Sequence, residues 1–390
     1  MTEINPAPVL FEELRADNGA VMGLARLNAA KSLNSLTLGM IDLLLEQLNA
    51  WATDPAIIMV MLEAAGDKAF CAGADLHKLH QTMLAHHASP QRDDICANAY
   101  ALDFFSREYR LDYLIHTYPK PFLCWGHGIV MGGGVGLMSG ASHRVVTEHS
   151  RVAMPEISIG LFPDVGGTWL LNRAPGRSGL FLALTGAQLN ADDALFARLA
   201  DYKVAQTGRP KFVAELSRMP WSASAADNRG LLTRALRAIA LPPSAPGPLR
   251  AHLDLINDLC GNAELSEIVT AITTLQTDDA WLNKAATTLA AGSPGSAALS
   301  YALQRRLLHS SLAEVFRVEL VVTLTCAARA DLAEGIRALL IDKDRRPRWQ
   351  PASVQDVTPH WLKGFFTRPW PPAQHPLKEL EHTKPEITPS

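Results

Sequence analysis

The sequence predicts an α/β domain extended by a helical region. Three observations carry that prediction. Over the first 205 residues, strand-length apolar runs alternate with stretches of helical period. Two of those runs, 57–62 (IIMVML) and 121–125 (PFLCW), are continuously apolar, the pattern of strands covered on both faces. Beyond about residue 206 strand signals fade, and apolar residues recur at helical spacing instead. The expected organisation is an α/β core over 1–205, a helical region over 206–365 and a Pro-rich tail over 366–390 that is extended or poorly ordered.

Taken in order, Val21–Leu27 (VMGLARL) reads as a strand. Thr37 can cap a helix whose apolar side carries Met40, Ile41, Leu44, Leu48 and Trp51, and Asp54-Pro55 ends it. The 57–62 strand follows. Residues 77–120 are polar and helix-prone and read as an excursion over the surface. The 121–125 strand then leads through Gly126 and Gly128 into Gly132-Gly133-Gly134, a helix over 134–141 and a short strand over 144–147. Pro242-Pro243-Ser244-Ala245-Pro246-Gly247-Pro248 reads as a linker. Helical spacing then runs over 249–340, with Leu312, Val315, Phe316, Leu320 and Leu324 as a core stripe.

Composition excludes several classes. The chain has 390 residues, 48% hydrophobic and 19% charged, enough apolar material for a large core. Lys and Arg number 36 against 39 Asp and Glu, so a nucleic-acid partner is not expected. No apolar run reaches membrane-spanning length, so no membrane partner is expected either. Met1 to Pro6 has neither a basic and apolar signal nor an Arg-rich leader, and the 5 scattered cysteines form no CxxC. These features lead to a cytoplasmic expectation with reduced thiols and no metal. His77 and His80 sit at helical spacing without a third ligand, which does not make a zinc site. Trp361 and Phe365 read as docking residues.

Three segments could carry chemistry. Lys68 to Leu76 (KAFCAGADL) follows an apolar strand, and its small residues let a ligand approach the main chain, with the Ala74 N–H as a candidate donor. In GHGIVMGGGVG, from Gly126 to Gly136, glycine is a poor helix former yet opens a helix, where unpaired N–H groups can hold a developing negative oxygen. The spacing is neither a dinucleotide fingerprint nor a P-loop. In AMPEISIGLFPDVGG, from Ala153 to Gly167, the carboxylates Glu156 and Asp164 stand in an apolar stretch, where unpartnered charge is costly. Singly, each is read as a capping or salt-bridged residue; together, close behind a glycine-rich turn, they point to an active site. His127 is assigned to packing or turn hydrogen bonding.

Those segments, with Arg107-Glu108-Tyr109 and Glu334 to Asp344 (EGIRALLIDKD), resemble the crotonase, or enoyl-CoA hydratase/isomerase, superfamily, and within it the 3-hydroxyisobutyryl-CoA hydrolase branch. The resemblance runs over about 20–365 and is densest over 119–187. It implies a spiral of ββα units, a helical C-terminal region that helps close the site, and a tendency to form homo-oligomers. It implies an acyl-CoA substrate with no cofactor beyond the CoA of that substrate. It places an oxyanion hole at the N–H groups of Ala74 and Gly133, the catalytic carboxylate at Glu156, a second acid at Asp164, and substrate contacts at Glu108, Gly132 and Gly134. The implied activity is hydrolysis of a short β-hydroxyacyl-CoA, a step of valine catabolism.

Two departures from the superfamily pattern matter. The first glutamate of the hydratase branch falls at Gly136, and a glycine cannot move a proton, which weighs against a hydratase or isomerase and for acyl transfer to water. Ala30 stands where the superfamily usually has a proline, in a segment that often lies against the CoA adenine. Retention of Glu156 and Asp164 weighs against a non-catalytic acyl-CoA-binding protein.

Overall fold

The computed structural model describes residues 7–242 and 244–381. In chain order the elements that place the site are β1 (Val9–Arg15), β2 (Val21–Leu27), α1 (Leu38–Thr53), β3 (Ile57–Ala64), β4 (Ala69–Cys71), α2 (Leu76–His87), α3 (Ala99–His116), β5 (Phe122–Gly126), β6 (Ile129–Met131), α4 (Gly133–Ser139), β7 (His143–Thr147), β8 (Arg151–Ala153) and β9 (Tyr202–Val204). They are followed by α5 (Arg209–Leu216), α6 (Ala225–Ile239), α7 (Leu312–Ala328) and α8 (Ala330–Ile336). Further helices connect them.

One sheet has the order β1-β2-β3-β5-β7-β9 and a second the order β4-β6-β8. Only the β1–β2 pair is antiparallel. The chain gives one strand to the large sheet, one to the small sheet, and then turns into helix. β3–β4–α2, β5–β6–α4 and β7–β8 with its following turn repeat this step, the expected spiral of ββα units.

The continuous apolar run of β3 is explained by what covers it. Val60 and Leu62 enter the main core with Met40, Ile41, Leu44 and Leu48 of α1. Met59 and Met61 point the other way, against Phe212 and Leu216 of α5 and Leu232 and Leu236 of α6. The α1 cap is as expected: Met40 N–H donates to Thr37 Oγ1 at 3.2 Å.

After β9 the described chain contains no further strand. Val315, Phe316, Leu320 and Leu324 of α7 are fully buried in the same core as the sheet residues. The helical region therefore shares its interior with the α/β part.

Two expectations are corrected. Residues 77–120 are not a surface excursion: Phe104, Phe105, Glu108, Tyr109, Leu111, Asp112 and Ile115 of α3 are buried. The inward stripe includes the carboxyls of Glu108 and Asp112, so the polar residues that read as solvated are the ones turned in. The tail is not loose up to residue 381. Short turns at Pro372–Gln374 and Lys378–Glu381 put Leu377 and Leu380 into the core, and Arg110 bonds Glu379 at 2.8 Å. The expectations for residues 1–6, 243 and 382–390 lie outside the described residues.

Candidate active site

The turn between β4 and α2 is fixed by one isolated bridge. Leu36 N–H donates to Gly73 C=O at 2.8 Å, and Asp75 N–H donates to Leu36 C=O at 2.8 Å. In this parallel pairing Ala74 turns its own N–H to the opposite side, where it meets no main-chain acceptor among the described residues. Asn34 holds the Leu36 segment in place. It accepts from Ala29 N–H at 2.8 Å and donates to the carbonyls of Ala65 and Ala69 at 3.0 and 2.9 Å.

The start of α4 lies beside that turn. A Cβ placed on Gly73 would stand 3.9 Å from the Gly133 nitrogen. Gly133 N–H also lacks a main-chain acceptor among the described residues, as expected in a first helical turn. Gly132 has φ +51, a conformation costly for any side-chain-bearing residue, and a Cβ there would sit 3.1 Å from Glu156 Oε1. A Cβ on Gly133 would sit 2.5 Å from Glu108 Oε1. Gly134 is backed by the Cys71 carbonyl, so its missing side chain lets α4 rest on β4.

Glu156 opens the short 3-10 turn Glu156–Ile159, closed by Gly160 N–H donating back to Glu156 C=O. Its carboxyl is buried, and Oε2 has no hydrogen-bond partner. Burial first, then the charges of Asp164 and Glu108, hold it well above the usual carboxylate range. Asp164 is buried as well. Tyr109 donates its O–H to Asp164 Oδ2 at 2.7 Å and lies 2.8 Å from Thr323 Oγ1 of α7. Burial pushes Asp164 up to about 6, and the Tyr109 hydrogen bond opposes the rise. Glu108 is raised well above its ordinary value by burial and by Asp164.

The structure thus brings Ala74, Gly132, Gly133, Glu108, Glu156 and Asp164 around one place. It adds groups that the sequence reading missed. Asp112 lies one turn beyond Glu108 on α3, and its Oδ2 is 2.8 Å from where a Cβ on Gly136 would stand. Neither Asp112 oxygen has a partner, and burial and the neighbouring acids raise it well above its ordinary value. Glu319 of α7 accepts from Gly166 and Thr168 N–H at 2.8 and 3.0 Å, tying the helical region to the Asp164 loop. Burial pushes Glu319 up to about 8. Tyr109 sat in plain view beside Glu108. Asp112 and Glu319 had only one signal, a carboxylate on the apolar stripe of a helix.

Other singled-out residues fall elsewhere. His127 Nε2 lies 2.7 Å from Gly66 C=O, a turn hydrogen bond, and burial lowers its pKa. His77 lies 3.8 Å from Asp75 at the surface. The Trp361 and Phe365 rings lie 4.4 Å apart, tilted by 48°, with the Arg329 guanidinium 4.1 Å from the Phe365 ring centre. The cysteines are free. Among the described residues no group of His, Cys, Asp and Glu is arranged to hold a metal ion, and no helix is long and apolar enough to cross a membrane.

The profile of the enoyl-CoA hydratase/isomerase family matches residues 22–366. The chain belongs to this family. Within the crotonase family, it is 36% identical over 348 residues to 3-hydroxyisobutyryl-CoA hydrolase, mitochondrial, of Xenopus tropicalis, covering 88% of this chain and 86% of that one. The protein of the same name from Homo sapiens is 34% identical over 359 residues, covering 91% and 88%. Among solved structures, an enoyl-CoA hydratase from Rhodobacter sphaeroides aligns at 35% identity and TM-score 0.78, covering 92% of this chain and 97% of that one. A carnitinyl-CoA dehydratase from Mycobacterium thermoresistibile aligns at 34% and 0.80, covering 93% and 97%. These crotonase-family structures match both the sheet and the helical region. The relatives' mitochondrial names overturn the cytoplasmic expectation. That expectation rested on the composition of the first residues and on scattered thiols, and neither reports a compartment.

Proposed function

We propose that this crotonase-family chain is an acyl-CoA thioester hydrolase, acting on a short β-hydroxyacyl group and most specifically on 3-hydroxyisobutyryl-CoA. The products are 3-hydroxyisobutyrate and CoA, a step of valine breakdown. The observation that carries the reading is the meeting of Ala74 and Gly133 N–H groups, free of main-chain acceptors among the described residues, with the buried Glu156 carboxyl, whose Oε2 has no partner, at the mouth of α4. The names of the relatives agree with it.

In this reading the thioester oxygen gains negative charge as the carbonyl is attacked, and the Ala74 and Gly133 N–H groups stabilise it. One such donor is worth ~3 kcal/mol to the transition state. Glu156 either attacks the carbonyl, giving a mixed anhydride that water cleaves, or takes a proton from the attacking water. Both routes need Glu156 ionised. Its raised pKa therefore shifts the acid limb of kcat/KM to higher pH than an ordinary glutamate gives. Asp164, oriented by Tyr109, accepts the hydrogen bond of the substrate's 3-hydroxyl, and Glu108 lines the same acyl group. The chemistry as written uses water alone and no metal or redox cofactor.

Hydration is disfavoured by Gly136, which offers no side chain to move a proton; the space beyond it is taken by Asp112 and Val165. The test is thiol release across acyl-CoA esters with and without a 3-hydroxyl, run beside loss of enoyl absorbance with crotonyl-CoA. Preferential thiol release from 3-hydroxy esters is expected. Crotonyl-CoA hydration without thiol release would replace this reading with the hydratase one.

A further inference from the structure

The site holds more acid than a hydroxyl can satisfy. Glu108 and Asp112 on α3, Glu156, Asp164 and Glu319 on α7 are all buried. Glu319 is served by two main-chain N–H groups and Asp164 by Tyr109. Glu108 Oε1, both Asp112 oxygens and Glu156 Oε2 have no partner at all. Among the described residues, no Lys, Arg or His hydrogen-bonds or ion-pairs with any of these carboxyls. Glu108 and Asp112, one turn apart on α3, occupy the space that side chains on Gly133 and Gly136 of α4 would need, 2.5 and 2.8 Å from where their Cβ atoms would stand. The orphan Glu108 Oε1 and the Glu156 carboxyl therefore flank the end of α4 at which, on the reading above, the acyl group lies.

A buried carboxyl without a cation has two ways to avoid bare charge: it keeps its proton, or it receives a cation from outside. We propose that the acyl pocket also accepts and hydrolyses CoA thioesters bearing an ammonium group at C3, the ligand's cation supplying the counter-charge that the protein lacks. An ammonium has three N–H donors where a hydroxyl has one O–H, and each hydrogen bond it makes to a carboxylate is charge-assisted. At C3 it falls where the 3-hydroxyl meets Asp164, with Glu108 alongside, and Asp112 behind them can give up its proton once the ligand's cation is in place. The covalent step is unchanged. Water oxygen bonds to the carbonyl carbon, the C–S bond breaks with its electron pair going to sulfur, and the thiolate takes up a proton. The ammonium is carried through into a 3-ammonio carboxylate. An ester with a carboxylate at C3 meets only like charge and is rejected.

The inference rests on the thioesterase reading, and the experiment separates the two. Thiol release, corrected for the enzyme-free rate, is measured with β-alanyl-CoA, 3-hydroxypropionyl-CoA, propionyl-CoA and malonyl-CoA. β-Alanyl-CoA is expected to exceed propionyl-CoA in kcat/KM by about tenfold or more, the worth of one charge-assisted hydrogen bond, with malonyl-CoA the slowest. In Asp112→Asn, and separately in Glu108→Gln, the ratio of β-alanyl-CoA to 3-hydroxypropionyl-CoA is expected to fall by about fivefold, as a carboxyl able to ionise opposite the cation is removed. β-Alanyl-CoA no faster than propionyl-CoA, with 3-hydroxypropionyl-CoA still hydrolysed, overturns the inference and leaves the thioesterase reading standing. A ratio unchanged in both variants also overturns it. Thiol release from none of the esters defeats the thioesterase reading and takes the inference with it.

Discussion

Glu63 and Glu156 are both buried glutamates, and the protein treats them in opposite ways. Glu63, on β3, is 1% exposed and held between two arginines: Arg26 Nε donates to it at 2.6 Å, and Arg209 grips both oxygens. Glu156 is 4% exposed and has no cation, with one oxygen unpartnered and its proton held tightly. The first arrangement ties β2, β3 and the start of α5 together at one end of the sheet. The second leaves a carboxyl poised to change charge. Where a buried acid is neutralised it is structure; where neutralisation is withheld, stability is spent on reactivity.

The contrast can be broken from either side. Glu63→Gln leaves Arg26 and Arg209 facing a neutral amide and should cost ~3 kcal/mol by chemical denaturation, the low end for a buried pair because both arginines reach solvent. Turnover per folded molecule should not change; a matching fall in kcat would show that this end of the sheet also serves the site.

Asp112→Asn acts in the opposite direction. Removing a buried carboxyl without partners should stabilise the fold by ~1–3 kcal/mol near neutral pH. The sign of its pH dependence follows from the raised pKa. The native state holds the Asp112 proton more tightly than the unfolded chain, so that contribution is full below the ordinary aspartate pKa and is lost as pH rises. The stability gap between Asp112→Asn and the native chain should therefore widen as pH rises above the ordinary aspartate range. A gap that stays constant or narrows would mean that Asp112 is not held protonated.

The smallest effect is sought at Asp164. Asp164→Asn should lower the preference for a 3-hydroxy thioester over its deoxy counterpart by about tenfold, the worth of one hydrogen bond to a charged group. Unchanged selectivity would make Asp164 a structural partner of Tyr109.

Much of this molecule was legible in its residues. The run IIMVML announced a strand covered on both faces, and Met59 and Val60 do face different cores. Thr37 and the Met40–Ile41–Leu44–Leu48 stripe gave α1 with its cap. The glycine run and AMPEISIGLFPDVGG could be read because close main-chain approach demands glycine and because carboxylates stand out in apolar sequence. α3 was misread for the same reason turned round. Its Asp112 looks like a solvent-facing residue until the glycines of α4 are seen to make room for it, whereas Glu108 was placed at the substrate by the resemblance alone. Glu319 was hidden similarly in the stripe of α7, since its partners, Gly166 and Thr168, are more than 150 positions away. Contacts that span such distances leave no local pattern.

The claim on which the rest depends is that the Glu156 carboxyl acts on the acyl carbon held by the Ala74 and Gly133 N–H groups. The direct measurement is thiol release from 3-hydroxyisobutyryl-CoA by Glu156→Gln, with binding of the thioester followed in parallel by calorimetry. The account predicts that kcat falls by about a thousandfold or more while the thioester still binds. A variant that binds the thioester and releases thiol at close to the native rate would contradict it.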